Sequence, residues 1–438
     1  MSALIDQVRD IAANATAPDW PAWATQLRER GAQAFIRHGL PNARVEAWKY
    51  TPLNRRPFGD VVVVAGERAT DLPEPVHGLG DVTRLVFIDG VLAGVDGELP
   101  KGVNVTALAE AIAADASRNG EAGELAEWLA EPPTEHAGDA LSALNAATLG
   151  AGAVITVEPG VNAGRIALEW HATATGRGTG DQPLVNSRLC VALGEGVRLS
   201  LHECFATDGD SYADHNLITQ VRLSKQAQLT HSRLQTMPAE HMLIAANRVD
   251  QDAESHYQYD GLDLGAGLAR HDLFTCLAGE GARCDLNGAY LPRGEAHVDY
   301  HLAVEHRAEH CTSSQFFRGV VDDHAKAVWN GRVHVLPGAD NTEALQSNAN
   351  LLLSRDAEVD TKPELEIEAD EVVASHGATV GQLDETAIFY LRSRGLDEAL
   401  ARELLIGAYC QAAVDRAGDE AVRERLTTEL ARYTGVGE

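Results

Sequence analysis

The feature that most constrains this fold is a change in the pattern of apolar and polar residues at about residue 150. From there to about residue 375, short runs of alternating apolar and polar residues are separated by Gly, Asp and Asn, and helical periodicity is almost absent. The runs RLSLH at 198–202 and RVHV at 332–335 are examples. The middle of the chain is therefore predicted to be all β.

A weak internal repeat runs through this region. A polar pair, a small residue and an alternating strand recur in EGVRLSL, KQAQLTH, DAESHY, EGARCDL, DHAKAVW and RDAEVDT, with the small residue at 197, 227, 253, 282, 325 and 357. The separations are 30, 26, 29, 43 and 32 residues. A repeat near this length is typical of the stacked coils of a β-solenoid. A β-sandwich or barrel, whose strands also recur between turns, stays open from the repeat alone.

Helical patterns flank the β region on both sides. The N-terminal part has helical spacing apart from strand-like pieces at 61–65 and 85–92, and the pattern from 103 to 149 is predicted to be helical. After Val380 the helical pattern returns in three segments, with Asp397 as the N-cap of the second. We expect a helical N-terminal domain with a few short strands, a β core and a C-terminal helical domain, at 1–149, 150–379 and 380–438.

Composition narrows the classes of function. The 65 acidic residues outnumber the 36 basic ones, so the net charge of -29 disfavours nucleic acid and anionic membranes as partners. No signal peptide or membrane span is recognisable, and we expect a cytoplasmic protein. The six cysteines form no CxxC pair and are predicted to be reduced thiols.

Signatures of catalysis are mostly missing. The chain has no GxGxxG motif after a strand, GxxxxGK[ST] phosphate loop, GxSxG elbow or HExxH motif, so we expect no ATP hydrolysis by this chain alone. Two groups could suggest a metal site, but packing in an alternating β region is the favoured interpretation of both. They are His202 with Cys204, and the series His297, His301, His306 and His310.

Longer phrases carry a more specific signal. The chain reads FFRGV at 316–320, NGRV at 330–333 and QSNANLLL at 346–353, and continues from 356 with DAEVDTKPELEIEADEVVASHGATVGQLDETAIFYLRSRG. Together with EAWKYTPL at 46–53, these phrases resemble the SufB/SufD family, most of all its SufD branch. The resemblance implies an iron-sulfur cluster assembly scaffold of the SUF system that is not itself an enzyme. It also implies a right-handed parallel β-helix core between helical N- and C-terminal domains.

The resemblance further implies partners. SufD-type proteins pair with a SufB-type paralogue through their β-helices, and each binds a SufC-type ATPase through its C-terminal helices. A nascent cluster is built at the interface of the two scaffolds, so it is transient and shared, and no tightly bound cofactor is expected in the isolated chain. A homodimer of the isolated chain is a further possibility.

The resemblance also points to particular residues. The essential cysteine of SufB-type proteins would fall near Arg355, where this chain has no thiol. The interface histidine of SufD-type proteins falls at His376, whose imidazole is a competent iron ligand. Some relatives have a cysteine two residues earlier, where this chain has Ala374, so most ligands would come from the partner.

The first C-terminal helix supplies candidates for ATPase contact. Ile388 and Leu391 belong to its apolar stripe and are expected to pack on the core. Phe389, Tyr390 and Arg394 lie off the centre of that stripe, and aromatic residues and Arg are enriched at protein interfaces.

Two other functions stay open. One is a SufB-like homodimeric scaffold, which the missing cysteine near Arg355 disfavours. The other is a carbohydrate-active β-solenoid enzyme, for which Glu364, Glu366 and Glu368 along one strand face would supply carboxylates. Aromatic residues make up only 5% of the chain, which leaves few platforms for stacking sugars.

Overall fold

The structure is a computed structural model that describes residues 2–13, 20–55, 61–64, 71–115, 123–131, 139–173, 182–207 and 213–435. The helices are α1 Ser2–Ala13, α2 Ala22–His38, α3 Leu108–Asp115, α4 Glu124–Ala130, α5 Ala140–Ala147, α6 Glu385–Ser393, α7 Glu398–Val414 and α8 Glu420–Thr434. The strands before the long β region are β1 Val61–Val64, β2 Thr83–Ile88, β3 Val91–Asp96 and β4 Val103–Ala107.

Sixteen further strands follow, with no helix between them in the residues that the structure describes. They are β5 Gly152–Val157, β6 Asn162–Ala172, β7 Gln182–Leu193, β8 Arg198–Thr207, β9 Asp214–Leu223, β10 Gln228–Gln235, β11 Met242–Gln251, β12 His256–Asp263, β13 Leu268–Leu277, β14 Arg283–Tyr290, β15 His297–His306, β16 Thr312–Val321, β17 Lys326–Val335, β18 Thr342–Leu352, β19 Glu358–Ile367 and β20 Val372–Gly381.

Each of these strands pairs in parallel with the strand two places along the chain. β6, β8, β10, β12, β14, β16, β18 and β20 form one face, which we call the even face, and β2 pairs with β6 at its start. The odd-numbered strands from β5 to β19 form the opposite, odd face. Two consecutive strands therefore make one coil, and the structure confirms the predicted parallel β-solenoid.

The repeat found in the sequence is present in the structure, but its six small residues belong to two different kinds of turn. Gln228 pairs with both Arg198 and His256, so the turn residue equivalent to Ala227 is Ser255 rather than the predicted Ala253. Residues 325 and 357 precede strands of the odd face, whereas 197, 227 and 282 precede strands of the even face. The anomalous separation of 43 residues is thus one coil plus the step across to the other face. Both kinds of turn bury a small residue, which made them look alike in sequence.

The turns from the odd face to the even face share a left-handed corner. Gln226, Glu254, His310 and Asn341 have φ of 60°, 56°, 59° and 57° at this position. The N–H of each corner donates to a carbonyl of the next coil, for example from His310 to Asp340 at 3.0 Å. These bonds continue the parallel hydrogen-bond ladder through the turns and offset the strain of a positive φ.

A single apolar core fills the solenoid from the first coils to the last. Large residues are accommodated by nearby glycines: a Cβ at Gly288, on the strand next to Phe317, would lie 2.4 Å from the Phe317 ring, and one at Gly331, on the same strand as Trp329, would lie 2.2 Å from that ring. Only glycine allows this approach, because carbon atoms pack at about 3.5–4.0 Å.

The N-terminal elements cover the outer side of the odd face. Phe35, Trp48 and Leu144 pack with Met242 and Ile244 of β11 in one apolar cluster. A turn at Asp89-Gly90 divides the predicted strand-like piece 85–92 and joins β2 to β3, with φ of 45° and 86° as a tight two-residue hairpin requires. The prediction of helix from 103 was wrong at its start, because β4 pairs antiparallel with β5 before α3 begins.

The C-terminal helices cover the outer side of the even face. Ile406 of α7 and Leu426 of α8 pack with Leu262 and Val320. As predicted, α7 begins after Asp397, whose carboxylate accepts from the Leu400 N–H at 2.9 Å. No helix in the described ranges is long and apolar enough to cross a membrane.

Candidate functional site

The two ends of the solenoid differ. At the first coils, antiparallel strands are added, since β3 pairs with β2 and β4 pairs with β5. At the last coil, β19 pairs only with β17 and β20 only with β18. We call this second end, formed by β19 and β20, the open end. Its outer edge consists of strand backbone that pairs on one side only.

The interior face of the solenoid is uncovered at the open end. Ala374, Val359 and Leu365 face inward and pack on the core, yet they are only partly buried because no further coil covers them. Ile367 and Val380 occupy the same inward registers and are 44% and 47% exposed. Exposed apolar residues on a flat edge strand favour association with another chain.

His376 lies in the middle of β20 at this end. It pairs in register with Gln346 of β18, and its spacing from Ala374 places it on the inward face. The side chain is exposed because the stack of coils ends at β20 and no further coil covers it. No group of three or more His, Cys, Asp or Glu side chains in the described residues could hold a metal ion. His376 could therefore contribute one ligand to a metal, with the others coming from elsewhere.

A layer of buried polar side chains lies directly beneath the open end. Asn348 donates to the Tyr290 hydroxyl at 2.9 Å, and that hydroxyl donates to Asn350 at 2.6 Å. Thr361 of β19 donates to Asn348 at 2.8 Å, which links the two faces across the interior. The phrase QSNANLLL thus places alternate polar residues inside the solenoid. The sequence analysis used this phrase for the family resemblance but predicted no role for these residues. Their alternation with a period of two, which is typical of a strand, was the pattern that could have identified them as interior residues.

The position expected for a SufB-type cysteine, near Arg355, lies in a different part of the coil from His376. Arg355 is in the exposed turn between β18 and β19, where Ser354 Oγ accepts from the Asp356 N–H at 3.1 Å. All six cysteines are buried free thiols elsewhere. Burial raises the pKa of Cys276 to about 11 and that of Cys410 to about 12, so these thiols are poor nucleophiles.

The histidines that suggested metal sites make structural contacts instead. His202 Nδ1 lies 2.8 Å from Ser232 Oγ, and burial lowers the pKa of His202 to about 3. His297 contacts Thr51 at 3.1 Å, and His301 pairs with the buried Asp299 at 3.0 Å. His306 contacts Ser313, and His310 is the turn corner described above.

Two of the three carboxylates considered for a glycosidase are held in ion pairs, and the third makes a hydrogen-bond contact with a histidine. Glu364 pairs with Lys362 at 2.8 Å, Glu366 with Arg332 at 2.6 Å and Glu368 with His334 at 2.9 Å. Glu364 and Glu366 line a cleft of about 380 Å³ between β19 and the N-terminal segment. A glycosidase needs one carboxyl group with a raised pKa, whereas the ion pair with Arg332 lowers the pKa of Glu366.

Helix α6 presents two aromatic side chains to solvent. Ile388 is buried, whereas Phe389 is 73% and Tyr390 55% exposed. The Arg394 guanidinium lies over the Tyr390 ring, 5.2 Å from its centroid, and also donates to the Tyr390 hydroxyl at 3.3 Å. The residues predicted for ATPase contact thus form one exposed patch, while the apolar stripe packs inward.

The sequence of this chain matches a known protein family. The family description "SUF system FeS cluster assembly, SufBD core domain" covers residues 176–409, and the chain belongs to this SufBD family of iron-sulfur cluster assembly proteins. The iron-sulfur cluster assembly protein SufD of Escherichia coli (strain K12) is 30% identical over 409 residues, 91% of this chain and 90% of that protein. An iron-sulfur cluster assembly SufBD family protein of Synechocystis sp. is 30% identical over 406 residues, 88% and 86% of the two chains.

A plant relative extends the comparison. The protein ABCI7, chloroplastic, of Arabidopsis thaliana is 30% identical over 259 residues, 58% of this chain and 54% of that protein. These similarities confirm the resemblance read from the sequence phrases.

Proposed function

We propose that this chain is the SufD-type scaffold subunit of a SUF iron-sulfur cluster assembly complex. In that role it pairs through its open end with a SufB-type paralogue, and a nascent cluster forms at the interface with His376 as one ligand. The cluster is cargo of the complex, and the isolated chain holds none tightly. The observation that carries the proposal is the exposed His376 in the middle of β20, on an edge that lacks its next strand.

The chemistry of the open end supports pairing with a second β-structure. Unpaired backbone groups on β19 and β20 can extend the ladder into another chain, and the exposed Ile367 and Val380 would be covered in the process. A homodimer would satisfy the same edge, so it is the alternative outcome in the absence of the paralogue.

The patch on α6 supports a separate partner. Phe389, Tyr390 and Arg394 lie outside the β-solenoid, so a SufC-type ATPase can bind there while the open end is occupied. ATP hydrolysis then belongs to the partner, and the present chain transmits the motion of the ATPase to the cluster site. A cytoplasmic location of this complex stays an expectation.

Co-expression with the SufB-type and SufC-type proteins of the same source tests the proposal. Val380→Asp places a charge on the open end and should abolish recovery of the paralogue. Val45→Asp is the matched control, since Val45 is 44% exposed in the N-terminal region. Equal recovery of the paralogue with both variants would show that the open end is not the interface.

The same complex tests the two groups of residues separately. Phe389→Ala should lose the ATPase and keep the paralogue, whereas Thr386→Ala, an exposed residue of the same helix, should lose neither. His376→Ala should retain both partners but bind less iron and sulfide after anaerobic reconstitution. His38→Ala, an exposed histidine at the end of α2, is its control. Full cluster content in His376→Ala would remove that residue from the site.

A further inference from the structure

We propose a positioning role for Gln346: when the His376 side chain turns towards it, the side-chain oxygen of Gln346 accepts a hydrogen bond from one ring N–H of His376, which leaves the other ring nitrogen free to face the partner. This inference rests on the proposed function for its purpose, but its geometry concerns this chain alone. It makes His376 the last member of an interior ladder of polar side chains.

The ladder begins one strand earlier, on β16. Gln315, Gln346 and His376 are directly paired across β16, β18 and β20, and all three occupy the same inward register. Gln346 Nε2 donates to Gln315 Oε1 at 3.1 Å, so the amide oxygen on β16 accepts from the residue paired with it on β18. Stacked amide side chains on paired strands commonly form such ladders.

Gln346 has one hydrogen-bonding group left over. Its Nε2 also donates to the Gly331 carbonyl at 2.8 Å, so both amide hydrogens are used. Its Oε1 is buried without a hydrogen-bond partner among the described residues, and the whole side chain is only 4% exposed. Leaving a buried acceptor unpaired is unfavourable, so a donor is expected at this position.

His376 is the residue that strand pairing places beside Gln346 on the open side. Directly paired residues of neighbouring strands lie about 4.8 Å apart, and an exposed side chain rotates freely about its dihedrals. In the structure the ring is not bonded to Gln346, and the proposal is that the exposed His376 side chain adopts a rotamer that makes this bond. A neutral imidazole that donates from one nitrogen presents a lone pair at the other, which is the form that binds metals.

The direct test is the tautomer of His376 in the isolated chain. Long-range ¹H–¹⁵N correlation spectra of histidine-labelled protein at pH 8.5 report the ratio of the two neutral tautomers, and the His376 signal is assigned by its loss in His376→Ala. The ratio should differ about fivefold between the wild type and Gln346→Met, because a hydrogen bond is worth about 1 kcal/mol.

Gln315→Met is the matched control. It removes the hydrogen-bond partner of Gln346 one strand below but leaves Gln346 Oε1 in place, so the wild-type tautomer ratio should persist. The proposal is overturned if Gln346→Met keeps the wild-type ratio, or if Gln315→Met changes it equally. Should Gln346→Met not fold, a wild-type ratio equal to that of His376 in urea-unfolded protein would overturn it as well. None of these spectra requires a partner or a cluster, so failure of the assembly proposal would leave their outcome unaffected.

Discussion

The guanidinium carbon of Arg270 lies 3.8 Å from the centroid of the Trp48 ring, which joins the phrase EAWKYTPL to the outer side of the odd face. Arg270 is itself held by ion pairs to Asp299 at 2.7 Å and Asp272 at 2.8 Å. The Trp48 indole N–H donates to Asp139, the N-cap of α5, at 3.2 Å. The N-terminal phrase that supported the family resemblance therefore anchors the N-terminal elements to the solenoid.

Replacing Trp48 should loosen this anchor. We expect Trp48→Ala to lower the free energy of unfolding by about 3–5 kcal/mol, the usual cost of deleting a buried aromatic side chain. Tyr50→Ala, a partly exposed neighbour in the same phrase, should cost about 1 kcal/mol or less. Urea titrations of the two variants give the comparison, and equal losses would contradict an anchor centred on Trp48.

Breaking the ion pair of Arg233 and Glu203 inside the solenoid should be costly. The two residues are fully buried and lie 2.6 Å apart. Although burial acts to raise it, the charge of Arg233, together with the neighbouring His231 side chain, holds the pKa of Glu203 at about 2. Arg233→Met leaves a buried carboxylate unpaired and should cost about 3–5 kcal/mol.

Two further variants show whether the charge is the cause. The double variant Glu203→Leu/Arg233→Met should recover much of that loss, because no unpaired charge remains. Arg332→Met breaks the exposed pair with Glu366 and should cost under about 1 kcal/mol. A double variant as unstable as Arg233→Met would show that lost packing, rather than the charge, dominates. Chemical denaturation of the four proteins decides between these outcomes.

Substitution of Gly288 should strain the core, whereas the same change at the open end should not. A Cβ at Gly288 meets the buried Phe317 ring at 2.4 Å, and we expect Gly288→Ala to destabilise by about 1–3 kcal/mol. Nothing lies within 4 Å of a Cβ at Gly377, so Gly377→Ala should be neutral. Melting temperatures of the two variants test this contrast, and similar values would contradict the close packing around Phe317.

Stability should fall on mild acidification. Burial lowers the pKa of His202 and His215 to about 3 and that of His306 to about 4, from an ordinary value of 6.5. Below pH 6.5 the unfolded chain binds protons that the folded chain does not, so this stability is fully present above that pH and is lost as the pH drops towards 4. Between pH 7.5 and 5 each of these histidines should remove about 2 kcal/mol.

The contribution of one histidine can be isolated. His306→Gln keeps a group able to bond Ser313 but cannot take up the proton, so the pH dependence of its urea midpoint should be shallower than that of the wild type. His38→Gln changes an exposed histidine and should leave the slope unchanged. An unchanged slope in His306→Gln would show that this group does not drive acid destabilisation.

Several features could be predicted from local sequence, because they depend on neighbouring residues. The alternation of apolar and polar residues predicted the strands, and the cap at Asp397 with the apolar stripe through Ile388 and Leu426 predicted the C-terminal helices. The recurrence of about thirty residues predicted stacked coils. Whole phrases predicted the family, and with it His376 as a candidate ligand.

Other features were decided only by the tertiary structure, because they depend on which strands become neighbours. Ala253 and Ser255 look alike as turn residues, and only strand pairing shows which one repeats. The phrase QSNANLLL does not reveal that Gln346 is buried while His376, in the same register one strand later, is exposed. The difference arises because the stack of coils stops at β20: an identical inward position is core when another coil covers it and exposed surface when none does.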